Sequence, residues 1–246
     1  MTGTRPILLM TRPRAASEGF VLALQGAREV AFDPVISPLI GVDACGTLPD
    51  MPSDGGVIFT SANGVAAYGA LGGAVVDTCY VVGAATAAAA RQAGFDPLSA
   101  DGDAAALVQL ILRQPPTGPL LHLRGTHARG NIAQTLSDLG TRTQEAVIYD
   151  QPLLELTDRA RAALNGTAPV VVPLFSPRSA ERFAGLHCGT APLLIVAMSQ
   201  AILQEVVDLR AIANIVTSQP SGEAMQKAVL QLLASATKLE GWDHAQ

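Results

Sequence analysis

Short, wholly apolar runs alternate along this chain with stretches whose apolar residues recur every three or four positions. Ile7-Leu8-Leu9-Met10, Gly56-Val57-Ile58-Phe59 and Tyr80-Val81-Val82 are runs of the first kind and predict strands buried on both faces. Between them, Ala16 to Gln25 reads as a helix stopped by Gly26. A second helix begins near Gly64, and Ala84 to Ala93 reads as a third, closed by Gly94. Asp103 is placed to cap a helix in which Leu107, Leu110 and Ile111 share a face. Such strands alternating with helices predict an α/β fold of parallel sheets with helices on both faces.

The pattern then repeats. Leu120-Leu121-His122-Leu123-Arg124 resembles the run from Ile7 to Arg12, and Leu174-Phe175-Ser176-Pro177 resembles Phe59-Thr60-Ser61-Ala62. Leu194-Ile195-Val196-Ala197 resembles Tyr80-Val81-Val82-Gly83, and Gly222-Glu223 with Val229 to Leu232 resembles Gly102-Asp103 with Leu107 to Leu110. Four pairs in one order, each separated by close to half the chain, predict a duplication. Two proline-bounded segments, Phe32 to Pro38 and Ala146 to Pro152, break the rhythm at matching points. Their prolines bar them from a sheet interior, so they read as extended edge segments that carry the chain between domains.

Length and composition suit this picture: 246 residues, 49% of them apolar, supply cores for two domains. A net charge of −5 with no basic run argues against nucleic acid, and it means that any acidic ligand must be held locally. Cys45, Cys79 and Cys188 lack a Cys-x-x-Cys pair, and His122, His127, His187 and His244 lack ligand spacing. That predicts neither a disulfide frame nor a metal site, and it suits a reducing cytoplasm. The start leads directly into a strand-like run rather than a signal peptide, and no apolar stretch reaches the ~18 residues of a membrane span. With no Gly-x-Gly-x-x-Gly and no Walker loop, no cofactor is expected.

Ligands of parallel sheets bind beyond the carboxyl ends of the strands, where helices begin. Thr60-Ser61-Ala62-Asn63-Gly64 and Ser176-Pro177-Arg178-Ser179 stand at such points. Each is a helix cap, an anion site at a helix N-terminus, or both. Gly83 to Thr86 is a tight strand–helix turn in which Thr86 caps or is exposed. Arg12 and Arg124 follow equivalent strands and are either solvated charges or carboxylate clamps. Gly125 opens a polar loop running to Gly130, where His127 reads as a loop histidine. Tyr149, on a crossing segment, either covers a strand edge or presents a phenol as a general acid.

Together these pieces resemble the uroporphyrinogen-III synthase family. The matching residues are Thr11-Arg12-Pro13, Phe59 to Val65, Val82 to Ala87 with Gly94-Phe95, Val147-Ile148-Tyr149, Phe175-Ser176-Pro177 and Ser218 to Ser221, spread over nearly the whole chain. The resemblance implies two flavodoxin-like three-layer domains joined by a two-stranded link, with the active site in the cleft and the first strand–helix unit exchanged between the repeats. One domain would comprise residues 1–32 plus 153–246, the linker strands 33–39 and 145–152, and the second domain 40–144.

It also implies a cytoplasmic, cofactor-independent lyase of tetrapyrrole and heme biosynthesis. Such an enzyme closes hydroxymethylbilane to uroporphyrinogen III, inverting ring D through a spirocyclic pyrrolenine. By resemblance Tyr149 assists loss of the hydroxyl, and Thr60, Ser61, Thr86 and Ser176 contact acetate and propionate groups. Arg12, Asn63, Gly83, Arg124, Gly125, Pro177 and Ser199 complete the expected substrate-binding set. The family's Ile-Gly-Pro-x-Thr-Ala turn is here Val196-Ala197-Met198-Ser199-Gln200-Ala201, where Ser199 replaces the threonine hydroxyl or Gln200 takes its place. The expected partners are the linear tetrapyrrole and, for a transient handover to a monomeric enzyme, hydroxymethylbilane synthase, with neither nucleic acid nor membrane involved. The rival readings are a two-domain small-molecule binder of the periplasmic-binding-protein type and a sugar-phosphate isomerase.

Overall fold

An all-apolar strand needs cover on both sides, and β1 (Ile7–Met10) has it: Leu9 packs into one core and Leu8 and Met10 into another. The computed structural model describes residues 5–27, 30–127 and 130–239. Met1 to Thr4, Ala128, Arg129 and His244 lie outside the described residues. After β1 come α1 (Arg14–Ala27) and β2 (Asp33–Ile36). The middle of the chain forms β3 (Asp43–Ala44), β4 (Gly56–Phe59), α2 (Ala62–Ala70), β5 (Thr78–Val81), α3 (Ala84–Gln92) and β6 (Pro97–Ser99). It continues with α4 (Ala104–Arg113), β7 (Leu120–Gly125), α5 (Ile132–Asp138) and β8 (Thr143–Asp150). The last part adds α6 (Asp158–Leu164), β9 (Val170–Leu174), α7 (Pro177–Leu186), β10 (Leu193–Ala197), α8 (Gln200–Gln204), β11 (Ala213–Val216) and α9 (Gly222–Leu239).

Two compact units result: Met1–Gly41 with Leu153–Gln246, and Val42–Pro152. Unit 1 holds a parallel sheet in the order β11-β10-β9-β1-β2, with Ile7 beside Val170 on one side and Asp33 on the other. Unit 2 holds the order β3-β8-β7-β4-β5-β6, parallel except for the short β3. Leaving β3 aside, the sheets match strand for strand: β2-β1-β9-β10-β11 against β8-β7-β4-β5-β6. The repeats seen in the sequence fall on equivalent strands, β1 with β7, β9 with β4 and β10 with β5. In chain order unit 1 reads 2-1-3-4-5, the flavodoxin-like arrangement, and unit 2 enters the same layout at a different strand. The segment 33–39 begins as the edge strand β2, with Pro34 opposite Leu8. The segment 145–152 is not the edge its proline suggests: it lies mostly in β8, between β3 and β7, because Pro152 falls beyond the end of the strand.

Helices cover both faces of each sheet. In unit 1, Phe183 and Ile202 lie on one side, and Phe20, Val229 and Leu233 on the other. In unit 2, Tyr68 and Ala87 lie on one side, and Leu107, Ile111 and Leu136 on the other. The sequence boundaries hold to within a few residues. α3 closes at Ala93 and Gly94, where a φ of 93° calls for glycine. Asp103 caps α4, accepting the Ala106 N–H at 2.9 Å.

Pro173 stands in β9, between two neighbours, where a proline is unexpected. The Met198 N–H bonds to Leu174 O on the β10 side, and the Ile7 N–H bonds to Pro169 O on the β1 side. By alternation the missing N–H of Pro173 faces β1. There the ladder has already ended, at Leu8↔Val171. The strands part at their carboxyl ends, at the point where the order of the sheet reverses.

Candidate active site

In unit 2 the corresponding reversal lies between β4 and β7. Beyond β4 the chain passes Thr60 and turns at Ser61, whose extended backbone and side chain form the N-cap of α2; its hydroxyl accepts the Asn63 N–H at 3.2 Å. Beyond β7 lie Gly125 and Thr126. The Thr126 N–H bonds to Tyr149 O at 3.0 Å, and its hydroxyl donates to Asp150 Oδ1 at 2.8 Å, so β7 and β8 are tied together where they end.

Tyr149 fills the space between these turns. It is 6% exposed, with its phenol facing the Ser61 side chain and the Gly125 backbone. Burial pushes the phenol above its ordinary range, and the facing Ser61 side chain and Gly125 backbone offset part of that rise. The group therefore keeps its proton at neutral pH. Gly64 brings α2 close from the other side: a Cβ there would stand 3.7 Å from Tyr149 Cε1.

Arg124 does not join this cluster. Along β7, Leu121 and Leu123 share the Tyr149 core, so His122 and Arg124 point to the other face. The Arg124 guanidinium is held there at 2.7 Å by Glu145. That hydrogen bond holds the guanidinium above and the Glu145 carboxyl below their ordinary ranges. A polar groove of 410 Å³ lined by Asn131, Gln134, Ser137, Thr143 and Glu145 contains none of the expected site residues. His127 is exposed in its loop.

At the third strand end of unit 2, Gly83 is the N-cap of α3 and supplies no side chain to its amides; a Cβ there would meet nothing within 4 Å. Those N–H groups are open to an anion. Thr86, expected to cap or to be exposed, does neither. It is the third residue of the helix and is buried at 6% exposure, because that face packs on the sheet.

Unit 1 arranges its strand ends differently. Arg12 lies over the ring of Phe175, 4.3 Å from the centroid, and burial lowers its pKa. Ser176 caps α7, accepting the Ser179 N–H at 3.2 Å, with its hydroxyl 2.8 Å from that of Ser179; Pro177 takes the first helical position. Ser199 caps α8 and Gln200 is its first residue, so it is Ser199 that supplies the hydroxyl of this divergent turn. Beside Arg12, the buried Thr11 hydroxyl has no hydrogen-bond partner.

Thus the structure gathers Ser61, Asn63, Gly125 and Tyr149 in unit 2, and Arg12, Ser176 and Pro177 in unit 1. It sets Arg124 and Thr86 aside. Sequence reasoning missed Gly64, Phe175 and the Thr126–Asp150 tie. The pair Asn63-Gly64 carried a signal for close approach; the Arg12–Phe175 contact joins residues too far apart in the chain to announce itself.

A family model described as uroporphyrinogen-III synthase HemD matches residues 23–227. The crystal structure of a uroporphyrinogen-III synthetase from Helicobacter pylori has a TM-score of 0.61 at 16% identity, over 93% of this chain and 100% of that one. It shows a shared fold. A mutant uroporphyrinogen III synthase from Thermus thermophilus gives 0.43 at 18% identity, over 92% and 99%, too low to carry an argument. No curated protein matches the chain. Among the described residues no helix is long and apolar enough to cross a membrane, and no three His, Cys, Asp or Glu side chains form a metal-holding group.

Proposed function

This chain belongs to the uroporphyrinogen-III synthase family, and on that footing we propose that it closes hydroxymethylbilane to uroporphyrinogen III with Tyr149 as general acid. The family match over residues 23–227 carries the reaction. The buried, protonated phenol beside Ser61 supports the role of Tyr149.

The reaction begins as the terminal C–O bond breaks, pushed by the pyrrole nitrogen's electron pair. The leaving hydroxide takes a proton and departs as water, leaving an azafulvene. The Tyr149 hydroxyl would give that proton: it is protonated at neutral pH and held against the Ser61 turn, and burial makes it a weaker acid, so its help to the departing hydroxide is modest. The substituted carbon of ring D then attacks the azafulvene. The resulting spirocyclic pyrrolenine fragments and recloses through the other α carbon with that ring inverted. The proton this carbon loses as the pyrrole regains aromaticity balances the one given to the hydroxide. Direct head-to-tail closure would give the I isomer, so the protein's larger task is to hold the chain with the substituted carbon nearest the electrophile.

The acetates and propionates need local donors in a protein of net charge −5. In unit 2 these would be the first amides of α2 and α3, at Thr60, Ser61, Asn63 and Gly83. In unit 1 they would be Arg12 and the hydroxyls of the caps at Ser176 and Ser199, with Pro177, which has no N–H to give, lining the turn. The family match gives no support to a binding protein without turnover.

The deciding experiment supplies freshly generated hydroxymethylbilane, oxidises the product and separates the porphyrin isomers. The III isomer is expected in large excess over the I isomer formed without protein. Product of the I type alone, at the uncatalysed rate, rules the proposal out.

A further inference from the structure

Tyr149 owes its position to a backbone irregularity and to a missing side chain. β8 pairs with β7 residue by residue as far as Arg124↔Val147, and the next pair is Gly125↔Tyr149. Ile148 is therefore the extra residue of a bulge. Regular alternation would send Ile148 and Tyr149 to opposite faces. Here both are buried in one core, with Phe59, Val65 and Leu123. The Ile148 carbonyl is not orphaned, since it accepts the Cys45 N–H at 2.9 Å.

The turned ring then comes against position 125. A Cβ there would lie 2.4 Å from Tyr149 Cε2, 2.6 Å from Cζ and 2.9 Å from Cδ2, distances that no real Cβ shows. Gly125 is not among the positive-φ glycines, so its backbone conformation does not call for glycine. The ring does. We propose that Gly125 is a positioning residue for the Tyr149 hydroxyl: the bulge turns the ring toward α2, and the bare Cα lets it come near enough to reach Ser61. The contribution to catalysis rests on Tyr149 being the acid; the position of the ring does not.

The test uses the full chain with tyrosine labelled by ¹³C at Cζ. Its three tyrosines give three signals, and that of Tyr149 is the one lost in Tyr149→Phe. In Gly125→Ala the Tyr149 signal and its titration should move while those of Tyr68 and Tyr80 stay. kcat should fall about as far as in Tyr149→Phe, with KM changed by no more than about 2-fold. The double variant Gly125→Ala/Tyr149→Phe should be no slower than Tyr149→Phe alone. An unmoved Tyr149 signal overturns the proposal, and so do rate losses that multiply in the double variant, which would mean that Gly125 acts on its own. If the signal moves while Tyr149→Phe keeps the wild-type rate, the seat stands and the acid role falls. Should Gly125→Ala fold poorly, Gly125→Ala/Tyr149→Ala should melt close to Tyr149→Ala, because the struck ring is gone. Failure of that rescue also overturns the proposal.

Discussion

Unit 1 and unit 2 share a strand layout and place a capping serine beyond the equivalent central strand, Ser176 in one and Ser61 in the other. What surrounds that serine differs. In unit 1 the strands part beside Pro173, and an arginine lies on an aromatic ring. In unit 2 the equivalent pair β4–β7 stays in register to Phe59↔Leu123, the bulge lies on the other side of β7, and a phenol fills the gap and faces the cap. One framework has been furnished twice, once with a fixed cation suited to holding an anion and once with a proton donor. The residues inside the sheets diverge too: where unit 1 has Met10, the equivalent position of unit 2 is His122.

The largest expected difference between the units comes from that last pair. His122 is 1% exposed, neither ring nitrogen has a hydrogen-bond partner, and burial pushes its pKa down to about 4, with Glu145 opposing and Arg124 reinforcing the shift. A base whose folded pKa lies below its unfolded one binds fewer protons when folded. Stability is therefore full above pH ~6.5 and is lost as pH falls toward ~4, by about 3 kcal/mol in all. Acid unfolding monitored by hydrogen exchange should open β7 before β1. His122→Met, which installs the residue unit 1 uses, should flatten this dependence; an unchanged pH profile would break the contrast.

Next comes Tyr149→Phe. The low end of general-acid effects or less, roughly 10- to 100-fold in kcat, is expected, because the electron-rich pyrrole itself helps expel hydroxide. The remaining product should still be mainly the III isomer, since chain folding does not depend on the phenol. Steady-state rates with isomer analysis and a melting curve decide this, and a wild-type rate removes Tyr149 from the mechanism.

The two caps sharpen the comparison further. Ser61→Ala and Ser176→Ala should each cost about 1 kcal/mol in thermal melts, as lost N-caps do. Only Ser61→Ala should also lower kcat, because only Ser61 meets the phenol. Equal kinetic effects would mean that the units do not divide the work as described. The smallest effect is expected from Arg12→Lys. The charge remains but the planar guanidinium over Phe175 does not, so KM should rise by a few-fold, on the order of 0.5–1 kcal/mol, with kcat unchanged.

Much of this architecture was legible in the sequence because strands covered on both faces are written as unbroken apolar runs. Ile7–Met10 and Gly56–Phe59 were bounded correctly for that reason. The caps at Ser61, Asp103 and Ser176 were legible because capping is local chemistry. Thr86 was misjudged because in a run of alanines nothing marks which face meets the sheet. Arg124 looked equivalent to Arg12, but its carboxylate partner sits on the neighbouring strand, a contact that no spacing within β7 encodes. The bulge at Ile148 was hidden as well: Val147-Ile148-Tyr149 reads as plain extended chain until it is paired with β7.

The divided course of unit 1 has a consequence for biosynthesis. A ribosome releases Val42–Pro152 as one stretch, so unit 2 can complete its sheet as it emerges. β1 by then has only β2 beside it, and it waits for Val170 to be made before it acquires its second neighbour. Its apolar residues, Leu8, Leu9 and Met10, are fully buried at the end and stay uncovered on one side throughout that interval. β1 is thus exposed to aggregation and dependent on chaperones for that interval, although it is made before the rest of its sheet.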